Sequence, residues 1–163
     1  MIIRFTKKVQ DKFKWKQLKP IAESNLSNEW YVNQFTANRH KYYLATHAES
    51  LFSVIFRGVG IKTDREFMDR MIEAWKYQVS NEGLETVVNN LLVPLTKEIL
   101  ITSTLNRRIL GSMSDMIKMT EFILADGDNT EDSSPFALSE FLNKTPFSYI
   151  GMDRPKDRIA KYS

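Results

Sequence analysis

Hydrophobic and polar positions divide this chain into short strand-like runs in its first third and helical spacing beyond residue 62. Ile2-Ile3-Arg4-Phe5 reads as a short strand, because β-branched and aromatic residues suit a pleated, half-buried surface. Thr6 then opens a lysine-rich turn or helix to about Leu18, which Pro20 interrupts. Trp30 to Thr36 and Lys41 to Thr46 are rich in strand formers, and Ala37-Asn38-Arg39-His40 joins them as a hairpin. Asn38 tolerates the left-handed backbone that a tight turn needs. Thr46-His47-Ala48-Glu49 has the form of a capping box, so the apolar run Leu51, Phe52, Val54, Ile55 and Phe56 is read as a short helix ended by Gly58 and Gly60.

Thr63-Asp64-Arg65-Glu66 repeats that cap. Phe67, Met68, Met71, Ile72, Trp75 and Val79 follow at the three-and-four spacing of one buried face. A third helix is expected from about Leu84 to Leu92, ending ahead of Pro94. Residues 98–104 read as a strand, followed by a helix capped by Asn106 and running to about Ala125. Its buried side is Leu105, Ile109, Met113, Met116, Ile117, Thr120, Ile123 and Leu124. Residues 126–133 form an acidic loop, Ser134-Pro135 opens another helix to about Asn143, and Pro155 begins a short last one. Residues 1–163 thus read as a single α+β domain. Its small, mainly antiparallel sheet has a hairpin at about 30–46 and is packed by four to six helices.

Composition narrows the chemistry. The 163 residues contain no cysteine and two histidines, which removes disulfides, thiolate nucleophiles and cysteine-based zinc sites. No apolar stretch approaches the roughly 18 residues of a membrane span, and the amino terminus lacks a signal peptide's apolar core. A soluble, cytoplasmic protein is expected. No nucleophile elbow, dinucleotide fingerprint or phosphate loop occurs, and the acidic loop does not keep calcium-loop register. Neither a cofactor nor a metal is called for. His47 is expected to be neutral and packed, and His40 to be solvated in the turn.

Two polar features remain. In residues 106–115, Asn106 caps a helix and Arg107, Gly111 and Asp115 recur at intervals of four, with Ser112 nearby. Glycine there is roughly 1 kcal/mol worse than alanine, which points to close approach of a backbone or ligand. Trp30, Asn33, Asn38, Arg39 and Lys41 are the candidates for an opposing wall. The second feature is the basic N-terminal segment, where Lys8, Lys12, Lys14 and Lys16 could meet nucleic-acid phosphates. Arg39 and Lys41 beside Tyr42 and Tyr43 would add a basic and aromatic hairpin.

The motifs also carry a resemblance. Asn106 through Asp115 is similar to the signature Asn-Arg-Ser-Val-Leu-Gly-Ser-Met-Asn-Asp of a family of small bacterial proteins known only as a domain of unknown function. Arg108, Ile109 and Ser114 depart from it. Asn38-Arg39-His40-Lys41, the segment from Thr46 to Ser53, and Asn143-Lys144-Thr145-Pro146-Phe147-Ser148 resemble its other motifs, in the same order. The resemblance implies a bacterial, plasmid or phage origin and no activity.

The sequence reading is therefore a non-catalytic binding or regulatory module with a polar surface around residues 106–115. Its partner is left open between a protein and a nucleic acid. The alternatives are a nucleic-acid-binding protein using the lysine-rich segment, and a small-molecule enzyme using Arg107 and Asp115.

Overall fold

A computed structural model describes residues 1–13, 21–22, 25–126 and 133–163. Lys14, Lys16 and the acidic loop at 127–132 lie outside the described residues.

The sheet has five strands in the order β4-β3-β2-β1-β5. These are β1 (Ile2–Phe5), β2 (Glu29–Ala37), β3 (His40–His47), β4 (Ser53–Arg57) and β5 (Leu100–Ser103). β2, β3 and β4 form an antiparallel meander, whereas β1 lies parallel to both β2 and β5. The sheet is therefore mixed: the antiparallel part is the β2–β3–β4 meander, and β1 adds two parallel ladders. β1 is an interior strand, paired on both edges, and Ile3 and Phe5 are wholly buried, as expected for a parallel strand covered on both faces.

Helices cover both faces. On one side α1 (Lys7–Lys12), α2 (Asp64–Asn81) and a helical stretch bury Ile3, Phe5, Trp30, Val32 and Phe56. That stretch comprises α3 (Glu85–Val87), a π turn (Val88–Leu92) and α4 (Val93–Leu95). The other face, with Tyr31, Phe35, Leu44 and Ile55, packs against α5 (Arg107–Asp126) and α6 (Pro135–Lys144). The short α7 (Pro155–Ile159) returns Ile159 to the first core.

Several local signals hold. Thr63 and Glu66 close a reciprocal capping box on α2, and Ser134 caps α6 ahead of Pro135. Asn38 and Arg39 both take positive φ, 46° and 64°, as a two-residue hairpin turn requires. Phe67, Met71, Trp75 and Val79 form the buried face of α2. On α5 the expected stripe is buried at Ile109, Met113, Met116, Thr120 and Leu124, while Leu105 is exposed.

Two elements differ from expectation. Residues 53–57, read as a helix, are the edge strand β4, because a short apolar run buried on both faces lacks the alternation that marks a half-exposed strand. Thr46 is a β3 residue whose hydroxyl shares a hydrogen bond with Ser53 across the ladder, so it caps nothing. The helical stretch after Gly83 also runs through Pro94. A π turn precedes the proline, with the Val93 N–H bonding back to Val88. Proline then falls at the start of the next α-turn, where its missing N–H is tolerated.

Candidate functional site

Residues 106–115 link β5 to α5. The Asn106 side-chain oxygen accepts from the backbone N–H groups of Arg108 and Ile109 at 3.0 and 3.3 Å, so Asn106 is the helix cap. Its own N–H donates to the Tyr31 hydroxyl at 3.2 Å, and its side chain also bonds Tyr149. Burial raises the Tyr149 phenol above its ordinary value. Beneath this junction lies a buried ion pair that the motif pattern did not show. Arg4 grips Glu29 through two hydrogen bonds of 2.7 Å and reaches the carbonyls of Ser103 and Ile21. Both side chains are fully buried, and the bonds to Glu29 push the Arg4 guanidinium up from its usual value. They tie β1, β2 and β5 together, so this end of α5 is held by structure.

The remaining motif residues face outward. Arg107, Gly111 and Asp115 are exposed, and a Cβ placed on Gly111 would meet nothing within 4 Å. No close approach therefore calls for this glycine, and Asp115 pairs with Lys118 at 3.6 Å. Ser112 is half-buried on the same helix.

The wall proposed opposite them is elsewhere. Trp30 is 1% exposed and packs edge-on against Trp75 in the core under α2, across the sheet from α5. Asn38 donates to the Leu124 carbonyl at the far end of α5. At about 1.5 Å per residue that places the hairpin turn roughly 27 Å along the helix axis from Asn106. The two polar surfaces are separate.

His47 makes a serine–histidine pair without access. The ring bonds Ser50 Oγ at 2.8 Å through Nδ1 and the Ser27 carbonyl at 3.0 Å through Nε2. A carbonyl can only accept, so Nε2 carries the proton and Nδ1 accepts from Ser50. Histidine and serine are sealed from solvent, and Ser50 Oγ also accepts the Phe52 N–H. Trp30 and Tyr162 pack on the ring, and Tyr162 donates to the nearby Glu49 carboxylate.

Burial pushes the His47 imidazole down to about 4, against weaker upward effects of the Ser27 carbonyl and Glu49. The unfolded chain takes this proton below about pH 6.5, and the folded one only near pH 4. Its contribution is complete above that window and falls as the pH drops through it, by about 2–3 kcal/mol at pH 4.5. Urea unfolding at pH 7.5 and 4.5 should therefore show His47→Gln losing less stability on acidification than the parent, by that amount. Equal losses would mean that the ring titrates normally.

The hairpin turn builds a different site. Lys12 of α1, Arg39, His40, Lys41, and Arg57 and Gly58 beyond it line a groove of about 360 Å³. The Gly58 N–H donates to the Lys41 carbonyl at 2.8 Å, and a Cβ there would come within 2.9 Å of the Tyr43 ring. This glycine keeps the strand end pressed against β3. Arg57 lies over the Tyr42 ring, 6.0 Å from its centre. Among the described residues, Lys12, Arg39, Lys41 and Arg57 have no carboxylate partner. Lys8, on the same face of α1 one turn before Lys12, borders the neighbouring groove.

The aromatic residues of the hairpin are not part of that surface. Tyr42 and Tyr43 are 1% and 0% exposed, stacked on Phe35 and Phe56. Phe13 packs on Phe67 and Tyr43. Arg57 joins this cluster only in the fold, because the apolar run before it fits a helix as well as a strand and local spacing does not place it beside the hairpin turn.

Among the described residues, no helix is long and apolar enough to cross a membrane. No curated protein matches the chain. The model of the family DUF6933, a domain of unknown function, matches residues 2–158, and the chain belongs to that family.

Proposed function

We propose that this protein is a non-catalytic binding module whose ligand is the phosphate backbone of a nucleic acid. One observation carries the reading: a groove lined by Lys12, Arg39, His40, Lys41 and Arg57, with no carboxylate in its lining among the described residues. Four permanent cations brought together from α1, the hairpin turn and the end of β4 create a local positive field that steers anions. Lys8 extends it along α1. Arginine at positions 39 and 57 suits a forked contact to phosphate oxygens.

The ligand is read through its backbone and not its bases. Tyr42, Tyr43 and Phe13 are committed to packing, so the stacking surface that single-strand readers use is absent from this hairpin. Binding should accordingly be indifferent to sequence and strongly dependent on salt. A purely binding role is supported by the sealed Ser50–His47 pair and by the solvent-facing Arg107 and Asp115.

Fluorescence polarisation with a labelled thymidine 20-mer tests this across 50 to 200 mM salt. Four phosphate contacts to a single strand predict a log–log salt slope of about −3. The triple substitution Arg39→Glu, Lys41→Glu, Arg57→Glu should remove most of that slope and the affinity with it. Saturable binding that ignores these reversals would withdraw the assignment.

A further inference from the structure

We propose that the overhang of β2 is a strand-addition site for an extended peptide, one whose segment continues the sheet where β1 stops. β1 pairs with β2 only from Glu29 to Val32, yet β2 runs on to Ala37. The Thr6 N–H donates to the Val32 carbonyl, after which the chain turns into α1. Backbone groups alternate sides along a strand, so those of Gln34 and Thr36 point, like Val32's, toward the space β1 has left. The Gln34 N–H is taken by the Asn33 side chain at 2.8 Å. Among the described residues, the Gln34 carbonyl and both backbone groups of Thr36 have no partner. An unpaired strand edge is a template for another strand.

This edge is the floor of a groove. Lys8 stands on one wall and α5 forms the other, and together they enclose about 550 Å³ beside β2. Five overhanging residues at about 3.3 Å each make a floor of about 16 Å, the span of a short extended peptide. The side-chain chemistry of the ligand follows from the walls. Residues facing α5 would lie over Phe35 and Ile117, where apolar groups fit. On that wall Lys118 is paired with Asp115 at 3.6 Å and Glu121 stands beside them, so an acidic side chain is turned away from α5. Residues facing α1 would meet Lys8, which has no carboxylate partner among the described residues and selects an acidic side chain. The Gln34 side-chain oxygen is buried there without a hydrogen bond among the described residues, an acceptor that a peptide N–H can satisfy. The partner is therefore a strand-forming segment alternating apolar and acidic residues.

The site borders the basic groove at Lys8 but shares none of the residues that line that groove, and its test is separate. The probe is a fluorescein-labelled alternating Glu-Val hexapeptide, compared with its Lys-Val counterpart and with a copy N-methylated along the backbone. Saturable polarisation is expected for the first. About tenfold weaker binding is expected for the other two, and for Thr36→Pro, which deletes one outward N–H without changing charge. Thr36 is exposed and its N–H has no partner among the described residues, so circular dichroism should be unchanged. The methylated peptide keeps the test decisive if that variant misfolds. No saturable binding, or binding that survives N-methylation, would overturn the proposal. Loss only with the Arg39, Lys41 and Arg57 reversals would also overturn it, by placing the peptide in the basic groove as a counter-charge.

Discussion

Arg4→Met should lower the unfolding free energy by about 3–5 kcal/mol, a large share of a domain's usual stability. The side chain is fully buried and makes two 2.7 Å bonds to Glu29 and two more to the carbonyls of Ser103 and Ile21. Removing it strands a carboxylate in the interior and releases two carbonyls. Glu29→Gln should cost less, because an amide still accepts from the guanidinium while the charge compensation is lost. The double variant Arg4→Met, Glu29→Leu should recover much of the loss. Replacing both partners removes the uncompensated charge, and buried pairs are often neutral against apolar residues of similar volume. With Glu29→Leu alone as the fourth corner of the cycle, chemical denaturation at pH 7 of the parent, both single variants and the double gives the coupling. A loss below about 1 kcal/mol for Arg4→Met would mean that solvent reaches the pair. The proposed binding of nucleic acid at the basic groove should be unchanged in the folded fraction, since the pair lies near the α5 N-terminus, away from the hairpin turn.

That ion pair also shows where sequence reading stops. Ile2-Ile3-Arg4-Phe5 is legible as a strand, but an arginine in it reads as a solvent-facing position. Its burial depends on Glu29, 25 residues on, and on β5, both placed by parallel pairing. Local periodicity carries no information about such partners. Elements whose signals are local were readable: the α2 capping box, the Asn38 turn, the Ser134-Pro135 start of α6, and the apolar stripe of α5. β4 failed for the complementary reason. Its five residues are buried on both faces except at Arg57, and a continuous apolar run fits a helix as well as a strand. The preceding Thr46-His47-Ala48-Glu49 imitates a cap in one dimension. In the fold Leu51 turns the chain with φ at 58° and returns it beside β3.

The candidate site suffered from the same limit. Both polar clusters were recognised, and joining them was the error, because α5 separates what the sequence leaves equally exposed. The basic cluster was legible at Lys8, Lys12, Arg39 and Lys41. Arg57 joins it only through the β3–β4 register, which sets Arg57 opposite Tyr42. Gly111, chosen for its energetic cost, sits on open surface, so glycine content alone was a poor guide to close approach.

Asn143→Leu should destabilise the fold by about 2–5 kcal/mol and expose a sheet edge, for a reason that begins with strand order. β4 is one of the two edge strands, and its outward backbone groups would otherwise invite pairing with another chain. α6 covers that edge and behaves chemically like the missing strand. The Asn143 side-chain oxygen accepts the Ser53 N–H at 2.8 Å, and its amide nitrogen donates to the Ser53 carbonyl at 2.9 Å. One helical turn earlier, Ser139 Oγ accepts the Ile55 N–H at 2.8 Å. The registers match, since four helical residues advance about 6 Å and two strand residues about 6.8 Å. Leucine at 143 keeps the volume but leaves a buried donor and acceptor unpaired, each costing about 1–3 kcal/mol. Ser139→Ala removes a single partner and should cost about half as much. The defect should also be qualitative: Asn143→Leu should lose amide exchange protection selectively at Ser53 and Ile55 and form concentration-dependent oligomers, whereas an equally destabilising core substitution such as Ile109→Ala should not. If both variants oligomerise alike, edge protection is not the role of Asn143, and global unfolding explains the behaviour.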